Sequence, residues 1–389
     1  MSPRIRARHP LPCVLESVPR TVWRVLLWFL LAASLPVHAR QVDSIPRQAA
    51  ADGSVSEIHP LPTNPSPPAE DPEEEPNPAA TFKPEWVISS DSLGNIRQRI
   101  KVESDYAIGD SVRLGLLYGQ GFIYYVPSKS GETEGIRDAG VTGQWHPNKV
   151  VRFEGMVGVS QTGTTIDSDG QPAGQAVIPI TNVQATLTPA GDIVRLDLGF
   201  KRSIFDLSPQ LVANRVIRND LVVHPQIGLP SGWKFRELAE IGPVTRAGES
   251  NYRYNSEFTV ARKLARNSEL YSTFSILHYA QASNAGYFSP DLVQNLEGGW
   301  STDVDRRTIS LSLDLGLGAG HARAHGDTFG PWGVSGHAET DLTWKVRRGR
   351  EVHASYEYYY DQSTPALEST QTGPWHMTVL TVSFRWARM

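Results

Sequence analysis

Between Ile96 and Ile108 the chain alternates with a period of two. Ile96, Ile100, Val102, Tyr106 and Ile108 share one parity, and Arg97, Arg99, Lys101, Glu103 and Asp105 fill the other. Successive side chains of a β-strand point to opposite faces, so this stretch has one apolar face and one charged face. The same period returns as Val194/Leu196/Leu198/Phe200 against Arg195/Asp197/Lys201, and again as Val352/Ala354/Tyr356/Tyr358 against Glu351/His353/Glu357. Any fold of this chain must offer each strand an apolar phase on one side and water or ions on the other. That apolar phase is either a protein core or lipid.

The N-terminus bears on the choice. Arg4, Arg6, Arg8 and Arg20 precede an apolar run from Val25 to Leu35, which ends in small residues and Val37-His38-Ala39. The run is short of the ~20 residues that a membrane-spanning helix needs, so residues 1–39 read as a secretory signal peptide rather than an anchor. The only cysteine, Cys13, lies before the apolar core, where no lipoprotein site would stand. An exported chain of this size without a disulfide draws its stability from its sheet and surroundings, which suits the bacterial envelope. Removing the signal, with its five arginines and one glutamate, takes the net charge from −4 to −8. This acidity argues against a nucleic-acid partner.

Residues 40–84 are rich in proline, alanine, serine and acids, as in Pro60-Leu61-Pro62 and Glu73-Glu74-Glu75-Pro76. Such a segment buries too little apolar surface to fold and reads as a periplasmic tether. From 85 to 389 the pattern is almost all strand, with no sustained helical period. About fifteen candidate strands run from Asn95–Ile108 to Trp375–Trp386, separated by turn signals such as Gly109-Asp110, Pro147-Asn148, Gly191-Asp192 and Arg348-Gly349. Single-chain outer-membrane barrels have an even number of strands, so an antiparallel up-and-down barrel of 16 is expected, with 14 as second choice.

Three features favour lipid over a periplasmic all-β core. The polar parity is dense in charge, as a wet lumen requires. Aromatics gather towards strand ends, at Tyr124/Tyr125, Trp145, Trp300, Trp344, Tyr356 to Tyr360, Trp375 and Trp386, as in the girdles of a barrel. Mean hydropathy is low, at −0.31, so helical spans are excluded and only a closed sheet could cross lipid with its backbone satisfied.

Constellations that would carry covalent chemistry are weak. His321 and His325 lie four apart with Asp327 close by, but zinc needs three or four ligands in fixed geometry. Ser289 and Ser208 stand beside prolines without a Gly-x-Ser-x-Gly elbow and read as turn residues. No catalytic residue, metal or cofactor is expected. The candidate functional residues are instead those of the polar parity: Arg97, Arg99, Lys101, Glu103, Asp105, Arg195, Asp197, Lys201, Glu351 and Glu357. Their mixed signs fit a neutral or weakly charged solute better than one ion sign. Inward-facing aromatics such as Tyr359 or Trp375 would stack on sugar rings.

The stretch Gly286-Tyr287-Phe288-Ser289-Pro290, followed by Leu296-Glu297-Gly298-Gly299-Trp300 and the alternating run Ser310 to Gly318, resembles the C-terminal outer-membrane porin domain of the cellulose synthase export subunit family and related exopolysaccharide export barrels. The resemblance covers about the last hundred residues and extends back to Arg202-Ser203-Ile204 and Leu211-Val212-Ala213-Asn214-Arg215. It implies that residues 286–290 form a turn that helps to shape the pore mouth. It also implies an outer-membrane channel that releases a cellulose-like glucan. Expected partners are outer-membrane lipid, the polysaccharide, periplasmic or inner-membrane synthase components and the barrel assembly machinery. Two departures stand out: the helical repeats of the large family members are replaced here by the proline-rich tether, and the chain ends Phe384-Arg385-Trp386-Ala387-Arg388-Met389 instead of on an aromatic. A small-solute porin and a barrel enzyme with a rim active site are the alternatives.

Overall fold

The computed structural model describes residues 78–389, apart from 126–132, 164–174, 190–192, 247, 284–286, 288, 364–373 and 389. The expected signal peptide and all but the end of the expected tether lie outside the described residues. Sixteen antiparallel strands form one closed ring, each paired with its sequence neighbours, and β1 (Ala80–Asp91) pairs with β16 (Trp375–Arg388) to close it. Between them run β2 (Asn95–Ile108), β3 (Val112–Tyr125), β4 (Thr133–Trp145), β5 (Val151–Thr162), β6 (Ala176–Leu187) and β7 (Val194–Ile204). The remaining strands are β8 (Ile217–Gly228), β9 (Trp233–Arg246), β10 (Glu249–Ala265), β11 (Ser268–Tyr279), β12 (Leu292–Asp305), β13 (Ile309–Arg323), β14 (Gly333–Arg347) and β15 (Arg350–Asp361). No helix among the described residues is long and apolar enough to cross a membrane.

The fifteen strands expected from periodicity are β2 to β16. The strand that periodicity misses is β1, which starts at Ala80, so the last residues of the expected 40–84 tether belong to the wall. Pro84 hides it. The ladder to β16 skips Lys83 and Pro84, because proline has no N–H to donate, while the ladder to β2 runs through unbroken.

Parity decides the two faces. Ile100, Leu116, Val157, Leu296 and Leu317 point outward and are exposed, at 59% for Ile100 and 70% for Leu317. A water-soluble protein would not leave such residues uncovered around its whole circumference. Aromatics form a belt near each end of this outer surface. Phe82, Phe384 and Trp386 stack at ring distances of 5.7 and 6.0 Å, and Trp145 stacks on Phe153 at 5.3 Å, all near one end. Tyr124, Tyr358 and Trp332 lie towards the other. Seven connections, including 109–111, 266–267 and 348–349, are short and lie on the same side as both ends of the barrel chain, and Gly109 (φ 72°) and Gly349 (φ 69°) supply left-handed corners there. The longer connections, including 205–216, 280–291 and 324–332, gather at the opposite end. Short turns face the periplasm and long loops the exterior in outer-membrane barrels, which orients the chain.

The outward face sets the first prediction. Leu317→Arg places a charge near mid-bilayer and lowers folding stability in lipid vesicles by about 2–4 kcal/mol in urea titration, whereas Thr381→Arg, on the inward parity, costs far less. Equal losses would contradict the assignment of faces.

Candidate functional site: the lumen and its plug

Cross-strand register places every expected lumen residue on the inward parity. Arg99 of β2 faces Val87 of β1 and Gly121 of β3, and Asp197 of β7 faces His224 of β8. Most of these residues pair along the wall. Arg99 bonds Asp138, Arg113 bonds Asp105, Lys101 lies 3.7 Å from Glu103, Arg195 3.0 Å from Asp197, and Arg385 3.2 Å from Glu351. Glu357 accepts a hydrogen bond from Tyr359 at 3.1 Å. Lys201 occupies the same face of β7, opposite Asp220 of β8.

The lumen is not an open tube. The connection between β7 and β8, residues 205–216, folds into the external end of the barrel and carries a short helix, α1 (Pro209–Ala213). Ser208 caps this helix, its Oγ accepting from the Leu211 N–H at 3.3 Å, and Pro209 stands at the first turn where its missing N–H costs nothing. Phe205, Leu211, Val212 and Val216 are all buried, Val212 and Val216 completely. Val212 packs with Ile123, Ile136 and Ile178 of β3, β4 and β6. Phe205, Leu211 and Val216 pack with Leu277, Tyr279, Val293 and Ala322 of β11, β12 and β13. Leu207 packs against Tyr359 and Trp375 of β15 and β16. The segment therefore reaches three sectors of the wall and acts as a plug.

Polar contacts orient the plug. Asp206 lies 3.3 Å from Arg97 and 3.9 Å from Arg99, both partly exposed. The Arg218 guanidinium sits 5.5 Å over the Phe205 ring. Arg218 itself belongs to a buried quartet with Asp220 (2.7 Å), Glu240 (3.3 Å) and Arg253, whose Nη1 is 2.9 Å from Glu240. The partly exposed Asp206–Arg97 pair contributes about 0–1 kcal/mol, whereas each fully buried apolar side chain of the plug contributes about 1.5–3 kcal/mol. The apolar seats hold the plug, and the charges set its register. Arg215 adds backbone strain, with φ 53° in the left-handed region.

The turn motif has a role that sequence reasoning did not assign. Tyr287 points inward, its ring 5.7 Å from Phe205 and 5.4 Å from Tyr279, and thus pins the plug. Ser289 accepts from the Ser283 N–H at 2.7 Å, as a turn residue does. Gly286 and Phe288 lie outside the described residues. Tyr359 and Trp375 do face inward, but both are buried and Leu207 of the plug packs against them, so neither offers a free ring to a sugar in this state. His321 faces outward between Phe329 and Trp332, at 4.2 and 4.0 Å, with Nε2 3.0 Å from Gln294. It does not meet a metal-ligand set, and no group of three such ligands occurs among the described residues.

Sequence reasoning also missed a wall of acids on β12 to β15. His337 lies 2.9 Å from Glu297 through Nδ1 and 3.3 Å from Asp314 through Nε2. Tyr271 donates to Asp314, and its phenol lies flat across Gly299, where a Cβ would meet ring atoms at 2.1–2.6 Å. Tyr359 donates to Glu339 at 2.7 Å. Alternation of Ser335, His337, Glu339 and Asp341 in β14 signals an inward polar face, but the register that brings these residues to Asp314 and Glu357 is not written in any single strand. Signs are mixed along β2, β7, β8 to β10 and β16, while the inward charges of β12 to β14 around His337 are mainly carboxylates.

No family model matches the chain, and no curated protein sequence matches it. Among solved structures it is similar to a "Bacterial polysaccharide outer membrane secretin", with a TM-score of 0.56 and 11% identity over 80% of this chain and 98% of that one. Other similar structures are "CdiB from Acinetobacter baumannii" (TM-score 0.43, 10% identity, 78% and 60% covered) and the "CymD monoaromatic hydrocarbon channel" (TM-score 0.41, 7% identity, 80% and 88% covered). With its closed 16-strand ring and apolar outer belt, the chain has the fold of a bacterial outer-membrane barrel.

The seating of the plug predicts its protease sensitivity. Trypsin leaves the Arg215–Val216 bond intact in the vesicle-inserted wild type, because Val216 is fully buried. Phe205→Ala removes the ring shared by Arg218 and Tyr287, a loss of about 3–5 kcal/mol for a core aromatic, and cleavage at Arg215 then appears in digests followed by mass spectrometry. Cleavage of the wild type at the same rate would contradict a seated plug.

Proposed function

We propose that this chain is an outer-membrane channel that exports an exopolysaccharide, and that the plug of residues 205–216 closes it between transport events. The observation that carries the reading is the plug itself. A 16-strand barrel is wide enough to leave an aqueous channel, and here that channel is filled at its external end by apolar side chains from one connection. A general porin keeps its path open, whereas a channel serving a polymer pushed from the periplasm benefits from closure whenever no chain is in transit. The likeness to a polysaccharide secretin in fold and the Gly286 to Pro290 resemblance support the same cargo class, with a linear cellulose-like glucan as the first candidate. Movement is guided diffusion driven by synthesis at the inner membrane, and the barrel makes and breaks no covalent bond. The segment from residue 40 to the start of β1 at Ala80 serves as a periplasmic tether behind a cleaved signal, with Phe384 and Trp386 read by the assembly machinery.

The test uses the absence of cysteine after position 13. A Val212→Cys/Ile136→Cys variant, built within one buried cluster, forms a disulfide that locks the plug. In cells lacking the wild-type chain, oxidation of this variant abolishes polysaccharide secretion, and reductant restores it. Secretion that continues with the plug locked contradicts gating. Secretion unchanged when the chain is absent contradicts export, and small-sugar uptake lost in its place would favour a porin.

A further inference from the structure

Among the strand residues on the outward parity of β3 to β8, only Arg137 of β4 and Arg202 of β7 are charged, and no aspartate or glutamate shares that face. Both arginines stand near the external ends of their strands. Arg137 is exposed and makes no hydrogen bond or ion pair among the described residues. Arg202 has only neutral partners: its Nε donates to the Pro179 carbonyl at 3.0 Å, and its Nη1 to the Asn219 side-chain oxygen at 2.6 Å. Inside the lumen, by contrast, Arg97, Arg113, Arg218 and Arg236 each meet a carboxylate. A guanidinium that faces lipid without a counter-ion is tolerated only close to the interface, where an anionic head group can neutralise it.

The same sector carries a groove. Gly143 of β4 and Gly155 of β5 stand opposite each other on the outward parity, with Leu114 of β3 beyond Gly143 and Val183 of β6 beyond Gly155. Where these two side chains are missing, the lipid-facing surface sinks into a groove of about 850 Å³, lined mainly by apolar side chains and reaching Phe200 of β7 and Leu221 of β8. That end lies two residues from Arg202 and Asn219 on the same faces of β7 and β8. The other end reaches the stacked pair Trp145 and Phe153. Cations at the mouth of an apolar groove match a molecule with an anionic head and a hydrocarbon tail, since the guanidinium binds phosphate oxygens and the groove wall covers methylenes.

We propose that this sector seats a phosphorylated, acylated lipid of the external leaflet, with its phosphate on Arg202 and Arg137 and one acyl chain in the glycine-floored groove. The site lies on the lipid side of the wall and does not depend on what passes through the lumen.

Native mass spectrometry of the full chain in neutral detergent tests it, with bisphosphorylated lipid A, a phosphate-free diglucosyl diacylglycerol and inorganic phosphate as probes. Lipid A binds about tenfold more tightly than the neutral glycolipid, and inorganic phosphate is not retained. Arg137→Gln/Arg202→Gln lowers lipid A binding about tenfold and leaves binding of the neutral glycolipid unchanged. Gly143→Leu fills the groove and weakens both lipids about tenfold. This variant folds, because a Cβ at Gly143 meets only Leu114 Cδ2 at 3.6 Å and the Arg113 carbonyl at 3.9 Å, which are ordinary contacts. Equal binding of the two lipids, or a Gln variant that binds lipid A as the wild type does, overturns the head-group site. A Gly143→Leu variant that holds both lipids as before overturns the groove. Inorganic phosphate bound as tightly as lipid A overturns the lipid assignment, and a paired chain that excludes lipid overturns it in favour of a contact between copies.

Discussion

Closure of the sheet is the constraint on which everything else depends. Inside a bilayer every backbone N–H and C=O must find a partner within the protein, because each unsatisfied group costs several kcal/mol. The β1 to β16 seam removes the two edges that would otherwise face lipid, running from Ala80 opposite Arg388 to Asp91 opposite Met377. It tolerates one interruption at Pro84, close to its periplasmic end, where Phe82 stacked on Trp386 braces the joint. Once the ring is closed, alternation does the rest. One parity is solvated by lipid, and the other lines a lumen in which charges, an internal plug and a cargo path become possible.

Much of this was legible in the chain. The period of two gave fifteen of the sixteen strands and the alternating faces of β2, β7 and β15. The evenness of outer-membrane barrels implied the sixteenth strand, and Pro84 obscured where it lay. The plug was harder to read, for a physical reason. Its signal is only a Ser208-Pro209 start followed by Leu211 and Val212, and a five-residue helix has no periodicity to detect. What fixes it is contact with wall residues from β3 to β16, which no local pattern encodes. The wall of acids was hidden in the same way: each strand shows a polar parity, but opposition of Asp314, Glu339 and Glu357 is a property of register.

The plug and the lumen charges form one system. Phe205 rests on Arg218, which is bound into the Asp220, Glu240 and Arg253 quartet, while Asp206 engages Arg97 and Arg99 on the far wall. Displacing the plug would uncover two arginine groups on one side and free Tyr359 and Trp375 on the other. The plug thus covers inward-facing charged and aromatic groups of both walls. Tyr287 couples the neighbouring external loop to the same seat, which gives the turn motif a mechanical reason to exist.

The central claim, that this barrel is a channel shut by its own β7 to β8 connection, is tested most directly by single-channel recording in planar bilayers. The full chain is compared with a variant in which residues 206–215 are replaced by a short glycine-serine linker, and both are checked for a folded barrel. The account predicts a wild type that is closed or opens only briefly, and a variant with large, steady conductance. Equal conductance in the two would contradict it, whether both are open or both are shut.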